Sequence, residues 1–190
     1  MKYLLNKKKV GFTLIEMVTS IFIIAIIASL FIANYNTANK RTDLIMSAQK
    51  LVADIHYAQN NTLGLVKYND LVPAGGWGLH FDVDNDSYLM FADLNAPGET
   101  GYMSYDEGEG EINYGARLTS LSSNIEISSL EIGGAEKTSV NVTFLPPNPQ
   151  TNIYDGANTS TSLIIGLHDK RSDTTKTVHV NFLGLAEVLD

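Results

Sequence analysis

One apolar run near the start of the chain limits what this protein can fold into. Residues 12–33 contain a single charged side chain, Glu16, among 22 residues. As a helix that rises 1.5 Å per residue, the run would be about 33 Å long, enough to cross the hydrocarbon core of a bilayer. The run therefore predicts a transmembrane helix.

The charges that precede this run set its expected orientation. Four lysines and no acidic residue lie in the first eleven positions: Lys2, Lys7, Lys8 and Lys9. Because basic flanks stay on the cytoplasmic side, the rest of the chain is expected outside the cytoplasm. A signal peptide would instead be cut after a shorter apolar run. This run continues into a helical pattern, which favours a membrane helix.

Glu16 is unusual because it lies inside the apolar run. An acidic side chain at the centre of a membrane helix costs about 2.5–3.5 kcal/mol on translocon scales. No basic residue occurs between Lys9 and Lys40. We therefore expect the partner of Glu16 to be a chain terminus, a lipid headgroup or another subunit.

Residues 11–17 (GFTLIEM), after a short lysine-rich leader, resemble the class III signal of type IV pilins and type II secretion pseudopilins. The resemblance implies that residues 1–11 are removed by a prepilin peptidase, which cuts between Gly11 and Phe12. It also implies methylation of the new amine of Phe12. In such proteins the residue at the position of Glu16 acts in assembly, where it pairs with the N-terminal amine of a neighbouring subunit.

The helical pattern continues beyond the apolar run. Residues 12–35 are predicted to form the transmembrane and filament-core helix, and residues 36–64 its amphipathic second half. One face of a 3.6-residue period carries apolar side chains, which indicates packing against a sheet: Leu44, Ala48, Leu51, Val52, Ile55 and Ala58. Gly64 is the predicted helix stop.

Residues 65–190 predict an extracytoplasmic, β-rich globular domain. Residues 77–83 and 87–91 alternate in polarity around a polar turn, which indicates a hairpin. Further predicted strands are 124–132, 138–145, 161–168, 176–182 and 185–189. The expected fold class is α+β, with one long N-terminal helix packed on an antiparallel sheet or sandwich of six to eight strands.

Three stretches of this domain narrow the resemblance. Residues 77–81 (WGLHF), 88–95 (YLMFADLN) and 105–109 (YDEGE), with a closing strand–glycine–strand pattern around Gly184, resemble the GspH-type minor pseudopilins and minor pilins. Some DNA-binding minor pilins of this group carry arginines after that glycine, where this chain has Leu185 and Ala186. From residue 12 onward there are 9 basic and 21 acidic residues, so no nucleic acid is expected as a partner.

Candidate chemistry in the domain is sparse. Residues 68–116 hold ten acidic residues and no Lys or Arg. Asp82, Asp84 and Asp86, with Asp93 in the twelfth position, resemble a calcium loop, but Ser87 replaces its glycine. A solvated hairpin tip is favoured, with calcium as the alternative. No cysteine, HExxH or GxSxG occurs, and the histidines are scattered. We predict no catalytic residue, metal or cofactor.

The sequence thus predicts a structural subunit rather than an enzyme: a minor pilin or pseudopilin of a type IV pilus or type II secretion pseudopilus. Its expected partners are a prepilin peptidase, other pilin or pseudopilin subunits and the cytoplasmic (inner) membrane, which it crosses once before joining a filament. The alternative is a membrane-anchored, extracytoplasmic β domain that binds a ligand or a surface and needs no cleavage.

Overall fold

A computed structural model describes residues 11–105, 117–146 and 150–189, and the backbone alone for residues 33–41. The chain divides into two compact units, Met1–Asn39 and Lys40–Asp190. One helix, α1, spans Leu14–Leu63, and eleven strands follow it in the described part of the chain. The prediction of six to eight strands was therefore too low.

In the second unit, α1 buries the predicted apolar stripe. Leu51, Ile55 and Ala58 are completely buried, Leu44 and Ala48 are buried with them, and Val52 packs against the same core. The helix ends at Leu63, and the Gly64 amide donates to the Asn60 carbonyl at 2.8 Å. The predicted stripe and helix stop are both confirmed.

The strands have the following bounds: β1 Gly76–Asp82, β2 Ser87–Asp93, β3 Arg117–Ser120, β4 Ile125–Ile132, β5 Ala135–Lys137, β6 Ser139–Leu145, β7 Gln150–Tyr154, β8 Thr159–Ser160, β9 Ser162–Asp169, β10 Thr174–Asn181 and β11 Ala186–Leu189. Seven match the predicted strands within two residues at each end. The four that were not predicted, β3, β5, β7 and β8, have two to five residues each, too few for a period of two to be visible.

All described strand pairs are antiparallel and form two sheets. One has six strands in the order β3-β2-β1-β6-β7-β8, and the other has five in the order β11-β10-β9-β4-β5. A single hydrophobic cluster is formed by α1 from Leu44 onward together with both sheets. The second unit therefore has a complete core of its own. The predicted α+β fold class is confirmed.

Helix α1 is tied to both sheets by polar contacts. Asp54 accepts a 2.6 Å hydrogen bond from the Tyr88 hydroxyl of β2, in the six-stranded sheet. Asp43 pairs at 2.8 Å with Arg171, which follows β9 of the five-stranded sheet. Arg171 also pairs at 3.2 Å with the fully buried Asp169. These contacts fix the helix over the core from two sides.

Backbone hydrogen bonds and an ion pair connect the two sheets to each other. At the β1–β2 turn, the Asp84 amide donates to the Ile127 carbonyl at 2.8 Å, and the Ile127 amide donates to the Asn85 carbonyl at 2.9 Å. At another place, Lys137 of β5 pairs at 2.6 Å with Asp155, which lies between β7 and β8. This lysine and two backbone amides hold the pKa of Asp155 well below its usual range.

Residues 94–105 cover the second face of the six-stranded sheet. The ring of Tyr105 lies 5.7 Å from Phe91 and 4.8 Å from His80, and Phe91 is almost fully buried although it does not face the main core. At the start of β1, Gly76 has a φ of 85°, and a Cβ there would lie 1.8 Å from the Phe144 carbonyl oxygen. Only glycine allows this close approach of β6.

Candidate functional site: the N-terminal segment

The first turn of α1 is closed by a reciprocal pair of hydrogen bonds. Thr13 precedes the helix, and its carbonyl accepts the first helical bond from Met17 at 3.2 Å. The Glu16 amide donates to the Thr13 hydroxyl at 3.3 Å, while the Thr13 amide donates to Glu16 Oε2 at 2.8 Å. This is a capping box, in which Thr13 is the N-cap and Glu16 the third helical residue.

The capping box gives Glu16 hydrogen-bond donors in its own chain, which the sequence prediction did not include. The Thr13 hydroxyl also donates to Glu16 Oε2, at 2.7 Å, so two donors one turn earlier contact the carboxylate. These donors are neutral, so a chain terminus, headgroup or other subunit as the partner of the Glu16 charge stays a prediction. Only charged partners were considered from the sequence, and the unpaired amides at the start of every helix were left out. Threonine followed three residues later by glutamate was the signal that reveals them, and Thr13 was missed.

The two oxygens of the Glu16 carboxylate differ. Both bonds from Thr13 end on Oε2, and in the part of the chain that the structure describes Oε1 accepts none. Cleavage after Gly11 would leave Thr13 and Glu16 in the same chain. The capping box therefore orients Glu16 and leaves one oxygen for a further donor.

The rest of the segment presents apolar side chains outward. Leu14–Ile32 is long and apolar enough to cross a membrane, with a mean hydropathy of 2.5 over its most apolar part. Large side chains such as Phe22 and Phe31 are 66% and 72% exposed. The Thr19, Ser20 and Ser29 hydroxyls donate to carbonyls three or four residues earlier in the same helix. Their polar groups are thus satisfied inside the helix, as a lipid or apolar protein environment requires.

Gly11 lies just before this helix in open space. A Cβ added there would meet no atom within 4 Å. Packing among the described residues therefore gives no reason for a glycine at this position. Residues 1–10, which carry the four lysines, lie outside the described residues.

The histidines of the domain do not converge. His80 lies between Asn141 and Asp82, with its ring nitrogens 2.7 Å and 3.2 Å from their oxygens. His168 has Asp173 and Glu126 beside it, which raise the pKa of its ring. His56 and His179 contact Gln59 and Glu187. Among the described residues no cluster of three metal-ligating side chains is formed.

The alternative of a calcium loop at residues 82–93 is wrong in its geometry. The β1–β2 turn places Asp84 at the tip, whereas Asp93 ends β2 and pairs with Gly76 at the opposite end of the hairpin. Residues 87–93 are extended, so the twelfth position of the supposed loop lies a whole strand away from the first. The acids between residues 106 and 111 lie outside the described residues.

Asp93 was counted among the acidic residues of 68–116, but it is not exposed to solvent. It is completely buried and accepts hydrogen bonds from the Asn95 and Met103 amides at 2.8 Å and 2.5 Å. Burial raises its pKa to about 6, against the lowering effect of these two amides, and the nearby Glu99 adds to the rise. Asp93 thus holds residues 94–105 against the sheet.

Comparison with known proteins gives one finding, and it concerns the N-terminal segment. Residues 6–32 match the family model of the prokaryotic N-terminal methylation motif. No curated protein and no solved structure gave a significant match to the chain. The matched residues include Gly11, Phe12 and Glu16, the three predicted site residues. The chain therefore carries a prepilin-type N-terminal methylation motif, which supports a type IV pilin-like protein.

Proposed function

We propose that this protein is a minor pilin or pseudopilin of the GspH type, a structural subunit of a type IV pilus or type II secretion pseudopilus. A prepilin peptidase cuts between Gly11 and Phe12, and the new amine of Phe12 is methylated. The subunit is inserted in the cytoplasmic membrane with its β domain outside, and it then joins a filament through residues 12–35.

The observation that carries this proposal is the state of Glu16. Its Oε2 closes the first turn of its own helix through Thr13, and its Oε1 has no described partner. An ammonium group at Phe12 of a neighbouring subunit supplies a donor of opposite charge. Two charges that are each costly in lipid then neutralise each other, and this contact sets the register between adjacent helices.

Two further observations support the proposal. The apolar side chains of Leu14–Ile32 are exposed along the segment, which suits packing against equivalent helices of other subunits. In the β domain, β10 and β11 are joined by a turn in which Gly184 has a φ of 79°. This strand–glycine–strand ending is one of the patterns on which the GspH-type resemblance rests.

The test separates the role of Glu16 between subunits from its role within its own helix. In cells that contain a prepilin peptidase and sister subunits, Glu16→Ala and Glu16→Gln are expected to be processed and inserted but absent from the filament fraction. Thr13→Ala is the matched control, because it removes the cap but keeps the carboxylate, and it is expected to be incorporated. Normal incorporation of both Glu16 variants would contradict the proposed pairing.

A further inference from the structure

A groove of about 420 Å³ opens on the second face of the six-stranded sheet. Its apolar lining comes from Leu89 of β2, Leu118 of β3 and the ring of Tyr105. Its volume falls in the usual range of small-molecule sites, roughly 300–1,000 Å³. Nothing in the proposed filament role uses this groove.

Polar side chains complete the lining. Asp82 and Asn85 at the end of the β1–β2 hairpin and Ser87 and Ser139 on the neighbouring strands all line the groove. The carboxylate is a pure acceptor, the amide offers two donors and an acceptor, and each hydroxyl is both. The groove therefore presents alternating donors and acceptors beside an aromatic ring.

Contacts within the protein position Asp82, Asn85 and Tyr105 before any ligand binds. Asp82 Oδ2 lies 3.2 Å from His80 Nε2 and accepts from Asn85 Nδ2 at 3.4 Å. Tyr105 is fixed by its amide, which donates to Asn141 Oδ1 at 3.3 Å, and by the contact of its ring with His80. A site that is already ordered loses less entropy on binding, so its contacts contribute more of their energy to affinity.

The charge and polarity of the lining exclude three ligand classes. An anion would meet no lysine or arginine among the described lining residues, but it would meet Asp82. A cation would find a single carboxylate, Asp82, among the described lining residues, and its Oδ2 already accepts from Asn85. An apolar ligand would cover Asn85 and the two serines without replacing their hydrogen bonds to water. A neutral ligand with many hydroxyl groups and one apolar face fits what remains.

We propose that this groove binds a saccharide. The C–H face of a pyranose ring lies against Tyr105, and its hydroxyl groups exchange hydrogen bonds with Asp82, Asn85 and Ser139. A saccharide site on the extracytoplasmic domain would let the protein attach to a glycan surface, whether or not the chain also joins a filament. The inference therefore does not rest on the proposed assembly role.

The experiment uses the second unit, residues 40–190, because it contains the complete core. The ¹⁵N-labelled domain is titrated with maltose, cellobiose and N,N′-diacetylchitobiose, and with spermidine and inorganic phosphate as charged probes. We expect at least one disaccharide to shift the amides of Asn85, Ser87 and Tyr105 in a saturable way. Tyr105→Ala is expected to weaken that binding about tenfold. Tyr57→Ala, which changes an exposed tyrosine on α1, is the matched control and leaves the affinity unchanged.

Three results would overturn the proposal: no saturable shift with any disaccharide up to about 20 mM, saturable shifts with only spermidine or phosphate, or disaccharide binding that Tyr105→Ala leaves intact. If Tyr105→Ala does not fold, Asn85→Ala is measured instead, because Asn85 lies on an exposed turn and its side-chain amide donates to Asp82. Unchanged disaccharide affinity in Asn85→Ala would then count against the site.

Discussion

The two units of this chain differ in whether their apolar side chains are buried. In the second unit, apolar side chains from α1 and both sheets bury one another, and Phe81, Leu51 and Ile55 are completely inaccessible. In the first unit, residues of the same chemistry are exposed along Leu14–Ile32. The domain therefore has a hydrophobic core of its own, whereas the described residues leave the apolar side chains of the N-terminal segment uncovered.

The polar groups show the same difference. In the domain, several buried polar groups find partners far away along the chain, as when the Thr62 hydroxyl donates to the Phe144 carbonyl at 3.0 Å. In the N-terminal segment, Thr13, Glu16 and Ser20 use only partners within four residues. Such short-range bonds do not depend on what surrounds the helix, so they suit the proposed transfer from lipid to a filament.

The largest expected difference between the two units comes from a substitution in the core of the domain. Phe81→Ala is expected to lower the free energy of unfolding by about 3–5 kcal/mol, because it leaves a cavity in a fully packed core. Phe22→Ala in the full chain, measured in detergent, is expected to leave the unfolding of the domain unchanged. Chemical denaturation followed by Trp77 fluorescence measures both. Equal losses in the two variants would remove the distinction between the units.

A second test concerns the ion pairs that hold α1 to the five-stranded sheet. Arg171→Ala leaves the buried Asp169 without its cation and breaks the contact with Asp43, at an expected cost of about 3 kcal/mol. Lys170→Ala is the neighbouring control, since its exposed pair with Glu126 is worth about 1 kcal/mol or less. Urea denaturation of the domain compares them, and a larger loss for Lys170→Ala would contradict the assignment.

A third test sharpens the account of the helix start. Thr13→Ala removes the N-cap and is expected to destabilise the first turn by about 1 kcal/mol, which corresponds to roughly fivefold faster amide exchange there. Hydrogen exchange of the Glu16 and Met17 amides in detergent micelles measures this. Thr19→Ala, whose hydroxyl donates only to helical carbonyls, is expected to change neither amide. Unchanged exchange in Thr13→Ala would show that the capping box does not form.

A fourth test concerns the pH dependence due to Asp93. Its pKa is about 6 in the folded domain, above the ordinary value of 3.8, so the folded state binds the proton more tightly than the unfolded state. The contribution of this group to stability therefore falls as the pH rises from about 4 to about 6. The Tm of the wild type and of Asp93→Asn is measured across that range. As the pH rises, the Tm of the wild type is expected to fall relative to that of the variant. A pH-independent difference would contradict the raised pKa.

The sequence predicted the elements whose periodicity is long enough to read. The stripe from Leu44 to Ala58 covers four turns of helix, and β4, β6 and β9 each contain seven or eight residues. The division into two sheets could not be predicted, because it depends on which strands pair across long connections. β1, for example, pairs with β6, some sixty residues later in the chain.

The predicted site residues Gly11, Phe12 and Glu16 all lie in the matched motif, and their roles stay predictions. The local geometry was not predicted, because only charged partners of Glu16 were considered and the hydrogen bonds from Thr13 were missed. Asp93 shows the reverse error. In the sequence it is one of ten acids, and only its position at the end of β2, under residues 94–105, reveals that it is buried.

The most direct test of the central claim is the mass of the N-terminus in the assembled state. Intact-mass and N-terminal peptide spectra of the protein purified from a filament fraction are expected to show a chain that begins at Phe12 with one added methyl group on its amine. A filament-bound protein that retained Met1 and its four leader lysines, or a processed protein that entered no filament, would contradict the account.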